Sequence, residues 1–222
     1  LRNNPNYDKA CTQNSHYDHD NTAAIIQRLT QLGVAVYGYV SIGGENTARI
    51  CPTLSPLPLP LTPAQIQHFV DLWKAMGVTG VFYDEAGYDF GADRLRQNAA
   101  VDYAHSQGLR VFINAFRQAD IFDPAPVGQV TYVGNLAGQL STLAMNPDGV
   151  ATQLGPDDLS LLESYQIIQG SYNQPADWTQ RADQALRFRR QFGTRFATVT
   201  TAVDDAPGCG FEQGKFDYAW WS

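Results

Sequence analysis

The sequence predicts an α/β fold of the (β/α)8 TIM-barrel type, and a repeated pattern is the main reason. Four times, a segment with helical periodicity ends in glycine and an apolar segment follows at once. The copies are AAIIQRLTQLG before VAVYGYVSIGG, TPAQIQHFVDLWKAMG before VTGVFYDEAG, AAVDYAHSQG before LRVFINAF, and QALRFRRQFG before TRFATVTTAV. Glycine is the usual left-handed residue that closes a helix. Repeated helix–strand alternation indicates a parallel sheet with right-handed crossovers.

The individual elements carry their own signals. The clearest helix begins at Thr62, which forms a cap with Pro63 in the first turn and Gln65 completing a capping box. Its apolar residues fall at the i, i+3, i+4, i+7 spacing of a helix and are Ile66, Phe69, Val70 and Trp73. The predicted strands are 35–42, 79–84, 110–115, 129–134, 159–166 and 195–200. Their near-continuous apolar runs are typical of strands that helices cover.

The 222 residues suit one domain with a large core. About six predicted strands fall short of the eight that close a barrel. Both ends also read as cut, because the chain starts at Leu1 and stops within FDYAWWS. We therefore predict a single barrel domain over 1–222 that belongs to a longer protein, with the missing strands outside this chain. An open doubly wound sheet is the alternative, but no GxGxxG or GxxxxGK[ST] motif follows a strand.

Composition excludes several classes of function. The formal net charge is -7 and no basic cluster occurs, so nucleic acid is not an expected partner. No apolar run reaches the roughly 18 residues of a membrane-spanning helix. The cysteines, Cys11, Cys51 and Cys209, all lie in loop-like stretches, which suits one disulfide, one free thiol and an extracellular or cell-envelope location.

Metal and cofactor sites are not expected either. There is no CxxC spacing and the histidines are scattered, which argues against zinc. The stretch SHYDHD at 15–20 is a conceivable ligand set, but we interpret it as a solvated surface loop. The proline-rich stretch 51–63 is interpreted as a long loop over one end of the barrel.

Polar residues follow the predicted strands at their carboxyl ends, where barrels place their active sites. Asp84 and Glu85 end the second strand without a break after Val81, Phe82 and Tyr83. Alternation puts these two acids on opposite faces, so only one of them points into the barrel mouth. The other strand-end residues include Tyr39, Ser41, Asn114, Asn135, Glu163, Tyr165, Thr200, Thr201, Asp204 and Asp205.

Glu163 follows LSLL and is expected deep inside an apolar segment, where a carboxylate is neutralised, paired or catalytic. A salt bridge to Arg110 or Arg195 is the structural alternative. Two carboxylates that face one groove are what glycoside hydrolysis requires, one as proton donor and one ionised. Nearby aromatic residues, Tyr88 among them, could stack on sugar rings or simply pack.

These same segments carry a family resemblance over roughly residues 22 to 201. GVTGVFYDEAGYDFG, VYGYVSIG, HSQGLRVFINAF and LLESYQ resemble motifs of glycoside hydrolase family 114, the endo-α-1,4-polygalactosaminidases, and of the spherulin-4-like proteins. The resemblance implies an extracellular (β/α)8 enzyme that cleaves α-1,4-linked galactosamine polymers, a cationic amino-sugar substrate. Matched to the family motifs, the catalytic acids fall on Asp84 and Glu163.

The resemblance implies that Tyr39, Asn114 and Tyr165 line the groove. The strand-end positions and the aromatic residues add Glu85, Tyr88 and Asp204 to the expected substrate-binding residues. Glu163 is assigned as acid/base and Asp84 as nucleophile or electrostatic partner, with the reverse assignment and the stereochemical outcome both open. Two alternatives are a catalytically inactive carbohydrate-binding or structural module of a cell-envelope protein, and an unrelated barrel enzyme such as a metal-dependent deacetylase.

Overall fold

The computed structural model describes residues 19–43, 61–133, 140–201 and 212–221. Its helices are α1 His19–Gln31, α2 Pro63–Ala75, α3 Arg94–Ser106, α4 Ala119–Phe122, α5 Pro175–Phe192 and α6 Gln213–Trp221, with a 3₁₀ turn at Tyr88–Phe90. Its strands are β1 Tyr37–Ser41, β2 Gly80–Asp84, β3 Arg110–Asn114, β4 Val127–Val133, β5 Leu140–Asn146, β6 Leu159–Leu162, β7 Ile167–Ile168, β8 Ser171–Tyr172 and β9 Arg195–Thr198.

The main sheet has five strands in the order β1-β2-β3-β6-β9, and every neighbouring pair in it is parallel. The order follows the chain in one direction. A doubly wound sheet would reverse at a switch point, so this sheet is singly wound, as the sheets of barrels are. Within the described residues the sheet is open at β1 and β9, and a complete barrel is not observed.

Helices cover one face of this sheet. Val81, Tyr83, Val111 and Ile113 point to that face and are fully buried, and the Tyr83 hydroxyl donates to a backbone carbonyl of α3 at 2.8 Å. The other face carries half-buried aromatic rings in mutual contact, with Tyr39 against Phe82 at 5.9 Å and Phe82 against Phe112 at 4.9 Å. Because side chains alternate along a strand, Asp84 and Asn114 share this second face.

The predicted helix boundaries are confirmed. Thr62 and Gln65 form the capping box, with the Gln65 amide at 3.3 Å from the Thr62 hydroxyl and the Gln65 side chain accepting from the Thr62 amide at 2.8 Å. The glycines that close the four repeated helical segments all have positive φ and are Gly33 at 77°, Gly77 at 84°, Gly108 at 74° and Gly193 at 76°. Glycine adopts this backbone conformation without the steric cost of a Cβ.

One predicted strand belongs elsewhere. The segment predicted as 129–134 is β4, and it forms an antiparallel hairpin with β5, a strand that the sequence had not suggested. The parallel sheet instead joins β3 directly to β6. The physical reason lies in the residues: QVTYV alternates polar and apolar side chains, which suits an exposed antiparallel ribbon. The six predicted parallel strands are therefore five.

The strand predicted over 159–166 is also shorter than expected. It ends at Leu162, so Glu163 lies just beyond the strand and is exposed rather than deep in an apolar segment. A salt bridge to Arg110 or Arg195 is not formed: within the described residues, no arginine or lysine nitrogen lies within 4.0 Å of the Glu163 carboxylate.

Asp158 connects β3, which carries Asn114, with the segment that precedes β6 and Glu163. It is 1% exposed, and its oxygens accept from the backbone amides of Val111 and Gly155 at 2.8 Å each. His105 of α3 approaches both oxygens, at 3.0 and 3.1 Å. A buried carboxylate with this many donors is satisfied in place, and it fixes β3 against the segment that enters β6.

Several sequence expectations lie outside the described residues. These are the three cysteines and their disulfide, His16 and Asp18 of the SHYDHD stretch, most of the proline-rich segment, and Asp204. Within the described ranges no group of three potential metal-binding side chains occurs. Across those same ranges, no helix is both long and apolar enough to cross a membrane.

Candidate active site

The carboxyl ends of the neighbouring strands β2, β3 and β6 bring three polar side chains together. Asp84 is the last residue of β2, Asn114 is the last residue of β3, and Glu163 directly follows β6. In parallel α/β sheets, functional sites form in the crevice at these strand ends. The two acids that the sequence selected therefore meet at one place.

Asn114 links the two acids directly. Its Nδ2 group donates to Asp84 Oδ1 at 2.9 Å and to Glu163 Oε2 at 2.8 Å. Because both oxygens contact one nitrogen atom, they can be no farther apart than the two distances together, which is 5.7 Å. The Asn114 side chain thus holds the two carboxylates in one shared cleft.

The orientation of the Asn114 amide follows from the acids. Its Oδ1 atom is buried and has no hydrogen-bond partner among the described residues. An unpaired buried acceptor costs about 1–3 kcal/mol. If the amide were reversed, Oδ1 would face two carboxylates. In the observed orientation Nδ2 instead makes two hydrogen bonds to acidic groups, and such hydrogen bonds are stronger than those between neutral groups.

Asp84 is held through both of its oxygens. Tyr39 donates its hydroxyl to Oδ2 at 2.9 Å, while the Glu85 amide and Asn114 donate to Oδ1 at 2.8 and 2.9 Å. All three contacts treat Asp84 as an acceptor, which is the role of an ionised carboxylate. The carboxylate is therefore fixed in direction before any ligand arrives.

Glu163 is held more loosely. Asn114 contacts only its Oε2 atom, and within the described residues Oε1 has no hydrogen-bond partner. The side chain is exposed. A carboxyl group with one free oxygen on an open side is able to exchange a proton with a ligand or with water.

The residue after each acid has an uncommon backbone. Glu85 has φ 57° and Ser164 has φ 50°, values that few non-glycine residues adopt. Such strain persists where the surroundings impose it, and it concentrates at functional sites. Here it turns the chain sharply after both acids, so that each side chain projects from the end of its strand.

The turn at Ser164 is braced from α5 and from the loop before it. Arg181 donates to the carbonyls of Glu163 and Ser164 at 2.8 and 3.2 Å. Asn173 donates to the carbonyls of Ser164 and Tyr165 at 2.8 and 3.0 Å. Burial lowers the pKa of the Arg181 guanidinium, an effect that Tyr165 and Glu163 oppose. These contacts fix the backbone that carries Glu163.

The other groove-lining predictions fall in different places. Glu85 accepts a hydrogen bond from the Ser41 hydroxyl at 2.7 Å. Tyr39 and Asn114, which both contact Asp84, make no described hydrogen bond to Glu85. Tyr165 is 9% exposed and packs edge-on against Trp178 at 6.0 Å. Burial raises the pKa of Tyr165. The prediction for Asp204 lies outside the described residues.

Tyr88 is placed in a separate buried network. It is 5% exposed, its hydroxyl accepts from Arg94 at 3.3 Å, and its amide donates to Asp120 at 3.1 Å. Burial raises the pKa values of Tyr88 and of Asp120. Tyr88 is therefore buried in this network, and no described hydrogen bond joins the network to Asp84 or Glu163.

Sequence reasoning missed Phe116, Asn173 and Arg181. All three lie in loops or on a helix flank beyond the strand ends, and single residues in such positions carry no spacing signal. The available signal for Phe116 was its position two residues after Asn114, just beyond the end of β3. Its side chain is 53% exposed.

Comparisons with known proteins add a general similarity of fold. No family model matches the chain and no curated protein sequence matches it. Among solved structures, it is similar to the glycoside hydrolase domain of PelA from Pseudomonas aeruginosa, at 14% identity and a TM-score of 0.33, covering 82% of this chain and 84% of that one. A single-residue variant of that domain matches at 16% identity, with a TM-score of 0.34 and the same coverage.

A third structure concerns the tandem GH20 catalytic modules of the pneumococcal exo-β-D-N-acetylglucosaminidase StrH. It matches at 10% identity with a TM-score of 0.40, covering 95% of this chain and 67% of that one. At these values the similarity concerns the course of the chain and assigns no role to any of its residues.

Proposed function

We propose that this protein is a retaining glycosidase in which Asp84 is the nucleophile and Glu163 is the general acid/base. One observation carries the proposal: a single amide nitrogen of Asn114 contacts both carboxylates, which keeps Asp84 Oδ1 and Glu163 Oε2 within 5.7 Å of each other. Neither acid is neutralised by an arginine or lysine within 4.0 Å among the described residues. Both are therefore available for chemistry.

The surroundings of the acids support their separate roles. A nucleophile must be ionised and aimed at the anomeric carbon, and Asp84 is held by three donors. An acid/base must gain and lose a proton during the cycle, and Glu163 has an open side and a free oxygen.

The separation of the acids favours retention of configuration. Retaining glycosidases place their carboxyl groups about 5–5.5 Å apart, and inverting ones about 6.5–9.5 Å apart to admit a water molecule. The upper limit of 5.7 Å between Asp84 Oδ1 and Glu163 Oε2 lies below the separation of inverting enzymes and close to that of retaining ones.

The reaction then has two steps. An Asp84 oxygen bonds to the anomeric carbon while the glycosidic C–O bond breaks, and the Glu163 proton passes to the leaving oxygen. In the second step water attacks the same carbon, its proton passes to Glu163, and the bond to Asp84 breaks. Both carboxyl groups end as they began, which is the double-displacement cycle.

The substrate class follows from charge and from the family resemblance. Asp84, Glu85 and Glu163 place three acidic groups around the strand ends, which attract a cationic sugar. We therefore propose an α-1,4-linked galactosamine-type polysaccharide as substrate, and an extracellular or cell-envelope location as the place where it is met.

Incubation with an α-1,4-galactosamine polymer is expected to release soluble oligosaccharides with new reducing ends. The protein should be purified, and product formation followed by reducing-end assay and mass spectrometry. Heat-denatured protein serves as the control. Stable binding of the polymer without any product over days would contradict the proposal and indicate a non-catalytic carbohydrate-binding module.

A further inference from the structure

Arg181 of α5 contacts both chain segments that continue from the strands of the site. Its guanidinium donates to the backbone carbonyls of Glu163 and Ser164 at 2.8 and 3.2 Å, in the turn after β6. The same guanidinium lies 5.9 Å from the ring centroid of Phe116, which comes two residues after Asn114 in the segment after β3. One side chain therefore connects the segment that follows Asn114 with the turn that carries Glu163.

Glu163 lies beyond the hydrogen-bonded part of the sheet. The pairing of β3 with β6 ends at Asn114 and Leu161, two residues before Glu163. Gln118, which is 1% exposed, reinforces this end of the ladder, because its side chain donates to the carbonyls of Leu161 and Ala115 at 3.0 and 3.2 Å. Arg181 extends the connection between the two segments outward to Glu163 itself.

The turn after Glu163 needs contacts from outside. Ser164 has φ 50°, a left-handed conformation that few non-glycine residues adopt, so the surroundings must impose it. Asn173 donates to the Ser164 and Tyr165 carbonyls, and Arg181 donates to the carbonyls of Glu163 and Ser164. Without Arg181, the backbone of Glu163 would lose the contact that fixes its direction at the end of β6.

The side chain of Glu163 depends on this backbone because little else holds it. It is exposed, and its one described side-chain hydrogen bond comes from Asn114 at 2.8 Å. A small rotation of the turn would carry the carboxyl group away from Asn114 and from the proposed partner Asp84. Displacement of a reacting group by about 1 Å can cost on the order of a hundredfold in rate.

We propose that Arg181 is a positioning residue for the acid/base. It clamps the turn after β6 to the segment after β3, and it thereby keeps the Glu163 carboxyl group next to Asn114 and directed at the leaving oxygen. Arg181 acts through Glu163 and takes no part in bond making or proton transfer. The inference rests on the proposed glycosidase function.

Three variants test this role. Arg181→Met keeps an unbranched stem but removes the donors and the charge, and Arg181→Lys keeps the charge with a compact donor group that lacks the planar fork of arginine. Arg187→Met is the matched control. Arg187 is exposed on the same helix and lies 4.8 Å from the ring centroid of Phe188, and it makes no described hydrogen bond to the turn after β6 or the segment after β3.

Steady-state kinetics on an α-1,4-galactosamine polymer give the first readout. Arg181→Met should lower kcat by about tenfold to hundredfold and leave KM within about twofold of the wild type, because a misplaced acid/base loses rate rather than binding. Arg181→Lys should show a smaller loss of about threefold to tenfold. Arg187→Met should match the wild type in both constants.

An activated galactosaminide gives the second readout, which a general structural defect would not reproduce. Its leaving group departs without protonation, so the burst rate constant of Arg181→Met should stay within about threefold of the wild type. The turnover that follows the burst should slow, because hydrolysis of the intermediate still needs Glu163 as base. Circular dichroism checks that each variant is folded.

The outcomes separate this inference from the proposed function. A burst rate that falls as far as turnover on the polymer, or equal losses in Arg181→Met and Arg187→Met, overturns the positioning role alone. If Arg181→Met does not fold, Arg181→Lys is compared in its place, and wild-type kinetics of the lysine variant on both substrates overturn the role. No hydrolysis of either substrate by the wild type overturns the glycosidase and this inference together.

Discussion

Glu163→Gln is expected to lower kcat on a natural polysaccharide by about 10²- to 10⁴-fold, the usual contribution of a general acid/base. The amide cannot donate a proton to the leaving oxygen or accept one from water. Because Glu163 is exposed and makes only one described side-chain hydrogen bond, the replacement should not disturb folding. Steady-state kinetics on the polymer, with circular dichroism as a folding check, measure the effect.

A substrate with an activated leaving group distinguishes acid catalysis from a general loss. Such a group departs without protonation, so the first step should recover in Glu163→Gln while the second, which needs a base, stays slow. A burst of leaving group followed by slow turnover is the expected time course. An equal loss on natural and activated substrates would show that Glu163 is not the acid.

Asp84→Asn is expected to reduce kcat by at least about 10³-fold on natural and activated substrates alike, because removing a nucleophile blocks the first step for both. The asparagine keeps the size of Asp84, its oxygen can still accept from Asn114 and the Glu85 amide, and its nitrogen can donate to the Tyr39 hydroxyl. Thermal unfolding should therefore remain close to that of the wild type.

Glu85→Gln is the matched control for Asp84→Asn. It removes the same charge one residue away, from a side chain that Ser41 rather than Asn114 contacts. Its effect should be at most about tenfold and should appear in KM, as expected for a charge near the site that does not react. A loss in kcat as large as that of Asp84→Asn would contradict the assignment of Asp84.

The sequence predicted the features that depend on local pattern. Glycine closes each repeated helical segment because only glycine meets the left-handed turn without strain, so Gly33, Gly77, Gly108 and Gly193 marked four boundaries. The apolar runs that followed marked β1, β2, β3 and β9. Because neighbouring parallel strands end at the same edge of a sheet, the sequence also predicted that the polar residues at these ends lie close together, Asp84 and Glu163 among them.

The rest depends on contacts between distant residues. The alternation in QVTYV suits an exposed antiparallel strand, but its pairing partner β5 lies in a segment without a strand signal, so the sequence did not predict the separate hairpin. The amide of Asn114 could have pointed in many directions until two carboxylates fixed it. Tyr88 looked like an aromatic groove residue, and its burial against Arg94 is set by α3. No spacing along the chain encodes these outcomes.

The anomeric configuration of the first product tests the central claim most directly. The claim is that Asp84 and Glu163, joined through Asn114, are spaced as a retaining pair and act by double displacement. Proton NMR during the first minutes of hydrolysis of an α-linked galactosaminide should show the α-anomer appearing first and the β-anomer only later, by mutarotation. Initial formation of the β-anomer would contradict the account.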